Sequence, residues 1–328
     1  MKVVITFKAT PEQRRILEEA LKDVADVVFL QDHPKDAIPS LLRGADAVIS
    51  IYPDREIGDL SLLEGVRLMQ IVWAGVDHVP FHLIPKDVLV AGNAGAYAEP
   101  MAEHVMGMVL ALAKRLLPNH LKLARGIYDR ETLNKEIRGK NLGILGFGGI
   151  GRAVARAFRA FDMKVLAINR SGRTDEPVAF IGTLADLEYV LRESDVLVIS
   201  LPLTRRTRNL ITRRELNMMK RDAILVNVAR ADIIVQRDLY EHLKENPDFQ
   251  VGLDVWWKEP FRGEPFSVDY PFFDLENFLG SPHNSNIVPG MFPKALRRAA
   301  ENVRNFLLGG EVVGLVDRDD YVAESRLE

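Results

Sequence analysis

Two sets of residues in this chain have types and spacings that suit chemistry. The first is the run Gly146-Phe147-Gly148-Gly149-Ile150-Gly151, which follows the apolar residues Leu142, Ile144 and Leu145. A helical pattern over 152–161 and a second apolar run through Ala167-Ile168 come next. Strand, glycine turn, helix and strand within about 30 residues form the setting that a dinucleotide-binding turn requires. There Gly146 permits the tight turn, Gly148 lets the backbone approach a pyrophosphate, and Gly151 lets the helix pack close to the strand. Phe147, Gly149 and Ile150 complete the turn, and the helix N-terminus offers N–H groups to the phosphates. The second strand ends in Asn169-Arg170-Ser171, with Arg173 just beyond. A carboxylate at that place would take a ribose 2′-hydroxyl, whereas asparagine beside arginines suits a 2′-phosphate. The expected cofactor is NADP, with NAD as the alternative; a solvated basic loop would have the same composition.

The second set is Arg230, Glu259 and His283. Arg230 follows the apolar run 224–228, Glu259 follows 252–257, and His283 follows 278–282. Loops at the carboxyl ends of parallel strands would put all three on the rim that carries the glycine turn. The combination suits hydride transfer at a 2-oxo acid, because the protein must then supply a proton and hold a carboxylate. The planar fork of an arginine can grip carboxylate and carbonyl oxygens. A histidine can protonate the new alkoxide, and a neighbouring carboxylate favours its charged form. Singly, each residue could equally be a strand-end cap, a solvated charge or a satisfied loop histidine.

The elements that must position these residues alternate along the whole chain. Short β-rich runs at 3–7, 27–30, 47–51, 69–73 and 88–91 indicate a first small parallel sheet, with an amphipathic helix from Pro11 capped by Thr10. A long helix is expected from Ala98-Glu99-Pro100 to Leu117, stopped by Pro118. A second set of runs follows at 141–145, 164–168, 196–200, 223–228, 251–255 and 278–279, and the helical stretch 293–308 returns to the first domain. The reading is α/β, with residues 1–98 plus 287–328 as a discontinuous substrate domain and 99–286 as the dinucleotide-binding domain. Ligands would sit in a cleft at the carboxyl ends of the strands.

The length of 328 residues suits two domains, and the net charge of −3 gives no reason to expect a nucleic-acid or anionic-membrane partner. The absence of cysteine excludes disulfides, thiolate metal sites and cysteine nucleophiles, and no metal is expected. The N-terminus reads directly into a strand, with no leader segment, and no apolar run is long enough to span a bilayer, so a cytoplasmic location is expected. The helix from Glu99 carries apolar residues on nearly every face, which predicts burial on all sides.

Ordered segments extend these readings over nearly the full length. They are 70–78 (QIVWAGVDH), 90–93 (VAGN), 101–104 (MAEH), the glycine turn, 201–204 (LPLT), 227–230 (NVAR), 254–260 (DVWWKEP) and 281–283 (SPH). As an ordered set they resemble the D-isomer-specific 2-hydroxyacid dehydrogenases, of the glyoxylate and hydroxypyruvate reductase kind. The resemblance implies two doubly wound parallel-sheet domains, a Rossmann cofactor domain inserted into a flavodoxin-like substrate domain. It implies Arg230, Glu259 and His283 as the catalytic three, and backbone N–H groups of Gly75 and Val76 on the substrate carboxylate. It implies Asp254 on the nicotinamide carboxamide, with Pro202 and Thr207 in the wall around the adenosine half, and a homodimer. Ala231 stands where the family usually has glycine, Asn284-Ser285-Asn286 replace small apolar residues, and Trp256 and Trp257 are bulkier than usual. Formate dehydrogenases look similar around the tryptophans but carry glutamine in place of Glu259. The leading expectation is an NADP-preferring reductase of a small 2-oxo acid. An NAD-linked relative acting on D-lactate or a branched oxo acid is the nearest alternative. A dinucleotide-sensing binding protein like the corepressors of this fold is the alternative of another class.

Overall fold

The computed structural model describes residues 1–260 and 265–321, so the last part of the expected substrate domain, 322–328, lies outside the described residues. The chain divides into two compact units, Met1–Tyr97 with Val288–Glu328, and Ala98–Ile287. The first opens with β1 (Lys2–Ile5), α1 (Pro11–Leu21), β2 (Asp26–Phe29), α2 (Ile38–Leu42), β3 (Ala47–Ser50), α3 (Pro53–Ile57), β4 (Leu68–Ile71) and β5 (Leu89–Ala91). Thr10 does cap α1: its hydroxyl accepts from Gln13 N while Gln13 Oε1 accepts from Thr10 N, and Pro11 takes the first helical position. The five strands are all parallel in the order β2-β1-β3-β4-β5, the flavodoxin-like arrangement.

The second unit contains α4 (Ala98–Ala113), α5 (Leu116–Ala124), β6 (Asn141–Leu145), α6 (Gly149–Phe158), β7 (Lys164–Ile168) and β8 (Phe180–Gly182). It continues with α7 (Leu187–Glu193), β9 (Val196–Ile199), α8 (Arg213–Met218), β10 (Ile224–Asn227), α9 (Gln236–Glu245), β11 (Gln250–Leu253) and β12 (Phe278–Gly280). The chain then returns to the first unit with α10 (Met291–Leu307). The seven strands are parallel, in the order β12-β11-β10-β9-β6-β7-β8. The order reverses between β6 and β9, which sets a switch point beside the glycine turn. Alternate residues enter opposite faces: Ile144, Val198 and Val226 join one core, Leu145, Ile199 and Leu225 the other. Burial on both faces explains why these strands read as apolar runs rather than as alternating ones.

Two expectations need correction. The long helix does not reach Leu117 and is not stopped by Pro118. It ends at Ala113, and Arg115 takes a left-handed backbone with φ of 50°. A new helix starts at Leu116, with Pro118 as its third residue, where a missing N–H costs no intrahelical bond. Strand β8 was not anticipated: Phe180-Ile181-Gly182 is short, and its glycine hides the pattern. Among the described residues no helix is long and apolar enough to cross a membrane.

Candidate active site and cofactor cradle

The glycine turn sits directly between β6 and α6. Gly146 has φ of +103°, and a Cβ there would lie 2.6 Å from Leu201 N, so only glycine fits against the loop after β9. A Cβ on Gly151 would collide with the Gly146 carbonyl oxygen, which seats α6 close against the strand end. Gly148 is different: among the described residues nothing lies within 4 Å of the Cβ it lacks. No side chain caps α6, which begins immediately after Gly148. Open space over an uncapped helix N-terminus fits a pyrophosphate. Phe147 is buried, and its N–H and that of Gly146 both donate to Ile168 O, tying the turn to the end of β7.

Asn169 holds the next loop together. Its Oδ1 accepts from Ser171 N at 3.1 Å and Gly172 N at 2.7 Å, and its Nδ2 donates to Arg173 O at 2.8 Å. Arg170, Ser171 and Arg173 stand exposed on this loop. Thr207 is buried and knots the turn after β9: its hydroxyl donates to Pro202 O at 2.6 Å and accepts from Thr204 N at 2.8 Å. Pro202 is exposed at the head of that turn.

Arg230, Glu259 and His283 come from loops after the adjacent strands β10, β11 and β12. Asn227, Leu253 and Gly280 form one register row at the carboxyl ends of those strands, which fixes the starting height of each loop. Asn227 is fully buried; its Oδ1 accepts from Ala229 N and its Nδ2 donates to Arg230 O at 2.9 Å, so it shapes the turn that presents Arg230. Glu259 is 2 % exposed, and its Oε1 accepts from Trp256 N at 3.0 Å and pairs with His283 Nδ1 at 2.8 Å. As the carboxylate can only accept, Nδ1 carries the hydrogen of that bond.

His283 itself has φ of 52°, a left-handed backbone that costs free energy outside glycine. Asp254 pays for it: its fully buried carboxylate accepts from Ser281 Oγ at 2.6 Å, Asn284 N at 3.1 Å and Ser285 N at 3.1 Å. The polar run Asn284-Ser285 thus contributes backbone N–H groups to the loop. Trp256 is core: it is buried, its Nε1 donates to Ser281 O, and its ring stacks on Phe273. Gly280 makes room for that ring, since a Cβ there would lie 2.8 Å from it. His104 and Ser281, which nothing in the sequence joins, meet in the structure, with His104 Nε2 2.9 Å from Ser281 Oγ.

In the first unit, Gly75 and Val76 follow β4. The loop is pinned by Gly92, where a Cβ would lie 2.8 Å from Ala74 O, and by Asn93, whose N–H donates to Trp73 O and whose Nδ2 donates to Val72 O. Val79 N closes the turn onto Val76 O at 3.0 Å.

Residues 106–285 match the family model described as D-isomer specific 2-hydroxyacid dehydrogenase, NAD binding domain. A glyoxylate reductase of Aeropyrum pernix is 32 % identical, covering 97 % of this chain and 96 % of its own. A hydroxypyruvate reductase of Thermotoga maritima is 32 % identical over 76 % of this chain and 80 % of its own. Among solved structures, the glycerate dehydrogenase related protein from Thermoplasma acidophilum is 34 % identical with a TM-score of 0.64, covering 93 % of this chain and 99 % of that one. On sequence, on fold and on the match of its second unit, the chain belongs to the D-isomer specific 2-hydroxyacid dehydrogenase family of NAD(P)-dependent oxidoreductases.

Proposed function

We propose that the protein is an NADP-preferring reductase of a small 2-oxo acid, of the glyoxylate or hydroxypyruvate type, and that it forms the D-2-hydroxy acid. The observation that carries this reading is the 2.8 Å bond between His283 Nδ1 and the buried carboxylate of Glu259. The second unit holds the cofactor and the first serves the substrate. When bound, the reduced nicotinamide supplies the hydride. His283 gives the proton from Nε2 to the oxygen that becomes the hydroxyl, while Glu259 fixes the ring and offsets its positive charge. Arg230 holds the carboxylate and the reacting carbonyl, and the Gly75 and Val76 N–H groups take the carboxylate. Asp254 serves the nicotinamide end through the loop it clamps. The acid at Glu259 disfavours formate, which needs no protonated partner. The substrate class draws support from the relatives named glyoxylate reductase and hydroxypyruvate reductase. A spectrophotometric panel of 2-oxo acids with NADPH and NADH tests it; no turnover of any 2-oxo acid would leave the corepressor-like reading standing.

For the cofactor, the expected result is catalytic efficiency at least about tenfold higher with NADPH, because charge-assisted contacts to a 2′-phosphate are worth a few kcal/mol. Arg170→Ala combined with Asn169→Asp should reverse the order. Aspartate can still accept from Ser171 N and Gly172 N, and its carboxylate suits a 2′-hydroxyl, although the bond to Arg173 O is lost. Equal efficiency with both cofactors in the unmodified protein would count against the proposal.

We also propose a homodimer. Met101, Met106 and Leu110 on α4 are only partly buried, and the segment after it exposes Leu116, Leu123, Tyr128 at 78 % and Leu133 at 87 %. Clustered large apolar side chains on a surface mark an interaction site. Light scattering should give twice the chain mass at micromolar concentration, and Leu123→Glu with Leu133→Glu should halve it. A monomer mass for the unmodified protein would refute the dimer.

A further inference from the structure

The loop that carries His283 meets α4 through a polar chain whose direction can be read atom by atom. Asp254 Oδ1, as a carboxylate oxygen, only accepts, so Ser281 Oγ spends its one hydrogen on it at 2.6 Å. That hydroxyl has lone pairs left to offer. His104 Nε2, 2.9 Å from Ser281 Oγ, therefore bears the hydrogen and donates. The same nitrogen lies 3.7 Å from Asp254 Oδ1. Donation thus runs from His104 to Ser281 to Asp254, and Asp254 closes the chain on Asn284 N and Ser285 N, the two amides that follow His283.

We propose that His104 is a positioning residue for the reaction, acting through Ser281 and Asp254 on the backbone that holds His283. The proposal rests on the reading of His283 as proton donor. A left-handed histidine persists only where its surroundings over-determine it. Asp254 supplies the clamp, and His104 fixes the hydroxyl that orients one of its two oxygens. His104 is partly exposed on α4, and an apolar side chain there would leave the Ser281 hydroxyl without its donor.

The test compares His104→Leu, His104→Gln and Ser281→Ala. Measured are kcat, the KM for NADPH, and hydrogen exchange at the amides of Asn284 and Ser285. His104→Leu should lower kcat about ten- to a hundredfold, the scale of a misplacement near 1 Å, with a smaller change in the NADPH KM. Exchange at Asn284 and Ser285 should quicken. Glutamine can donate from its amide nitrogen, so His104→Gln should restore both readouts. Adding His104→Leu to Ser281→Ala should do no further harm, because the chain is already cut. If His104→Leu does not fold, Ser281→Ala carries the same comparison one link along. Unchanged exchange in these variants overturns the clamp however His283 behaves. Unchanged kcat in His104→Leu, while His283→Asn is inactive, overturns the positioning role alone. Full turnover in His283→Asn instead removes the proton-donor reading, and with it the claim that the clamp serves the reaction.

Discussion

Replacing His283 should lower the turnover of 2-oxo acid reduction by about two to four decades, the usual size of a lost general acid, while NADPH binding survives. The ring is held at Nδ1 by Glu259, so the effect belongs to Nε2 and the proton it carries. The choice of variant matters because His283 has φ of 52°. Alanine in that left-handed backbone adds strain of its own, whereas asparagine tolerates it and cannot act as an acid at neutral pH. His283→Asn is the cleaner experiment, with cofactor affinity as the control for folding. Glu259→Gln should behave differently. An amide oxygen can still accept from Nδ1–H, so orientation survives, but the negative charge is gone. Imidazolium then loses its counter-charge, and turnover should fall while cofactor affinity holds. Unchanged turnover in Glu259→Gln would remove Glu259 from proton transfer and leave it only the ring to hold.

Much of this arrangement is legible in the amino-acid sequence. Strands β6 and β7 carry their bounds in the sequence, because both are short apolar runs between turn residues and are buried on both faces. The glycine turn was readable because each glycine answers a separate steric demand. Gly146 and Gly151 answer to the protein's own backbone, and Gly148 to open space. The grouping of Arg230, Glu259 and His283 was legible because adjacent parallel strands deliver their loops to one edge, and Glu259 and His283 do meet there.

What could not be read has physical causes. Pro118 resembles a helix stop in sequence, yet a proline within the first turn of a helix is harmless, and only the left-handed Arg115 separates the two cases. Asn169 was legible only as the lack of a carboxylate beside arginines; that its amide is engaged in holding its own turn depends on loop geometry that composition does not carry. The bulk of Trp256 does not by itself tell a core side chain from one that narrows a pocket; its burial and the room made by Gly280 decide for the core. His104 carried no signal by itself, because its partner Ser281 is 177 residues away in sequence.

Arg230 should show a loss in both binding and turnover. If its guanidinium holds the carboxylate and the carbonyl that becomes an alkoxide, it acts in the ground state and in the transition state together. Arg230→Lys keeps the charge and loses the planar fork, so KM should rise and kcat should fall. Arg230→Ala should cost more, since no cation from this position would remain near the developing negative charge. A bidentate charged contact contributes a few kcal/mol, which sets the expected loss in kcat/KM at about two to four decades. NADPH affinity should hardly change in either variant. The turn itself survives both substitutions, because Asn227 grips the backbone carbonyl of residue 230 and not its side chain. That anchoring separates the two meanings the residue could have. A structural arginine, bonded through Nη1 to Ala229 O, would give a lower melting temperature with kinetics intact. A catalytic one gives the reverse: kinetics collapse in a protein that melts where the unmodified chain does. Normal oxo-acid kinetics in a destabilised Arg230→Lys would overturn the assignment.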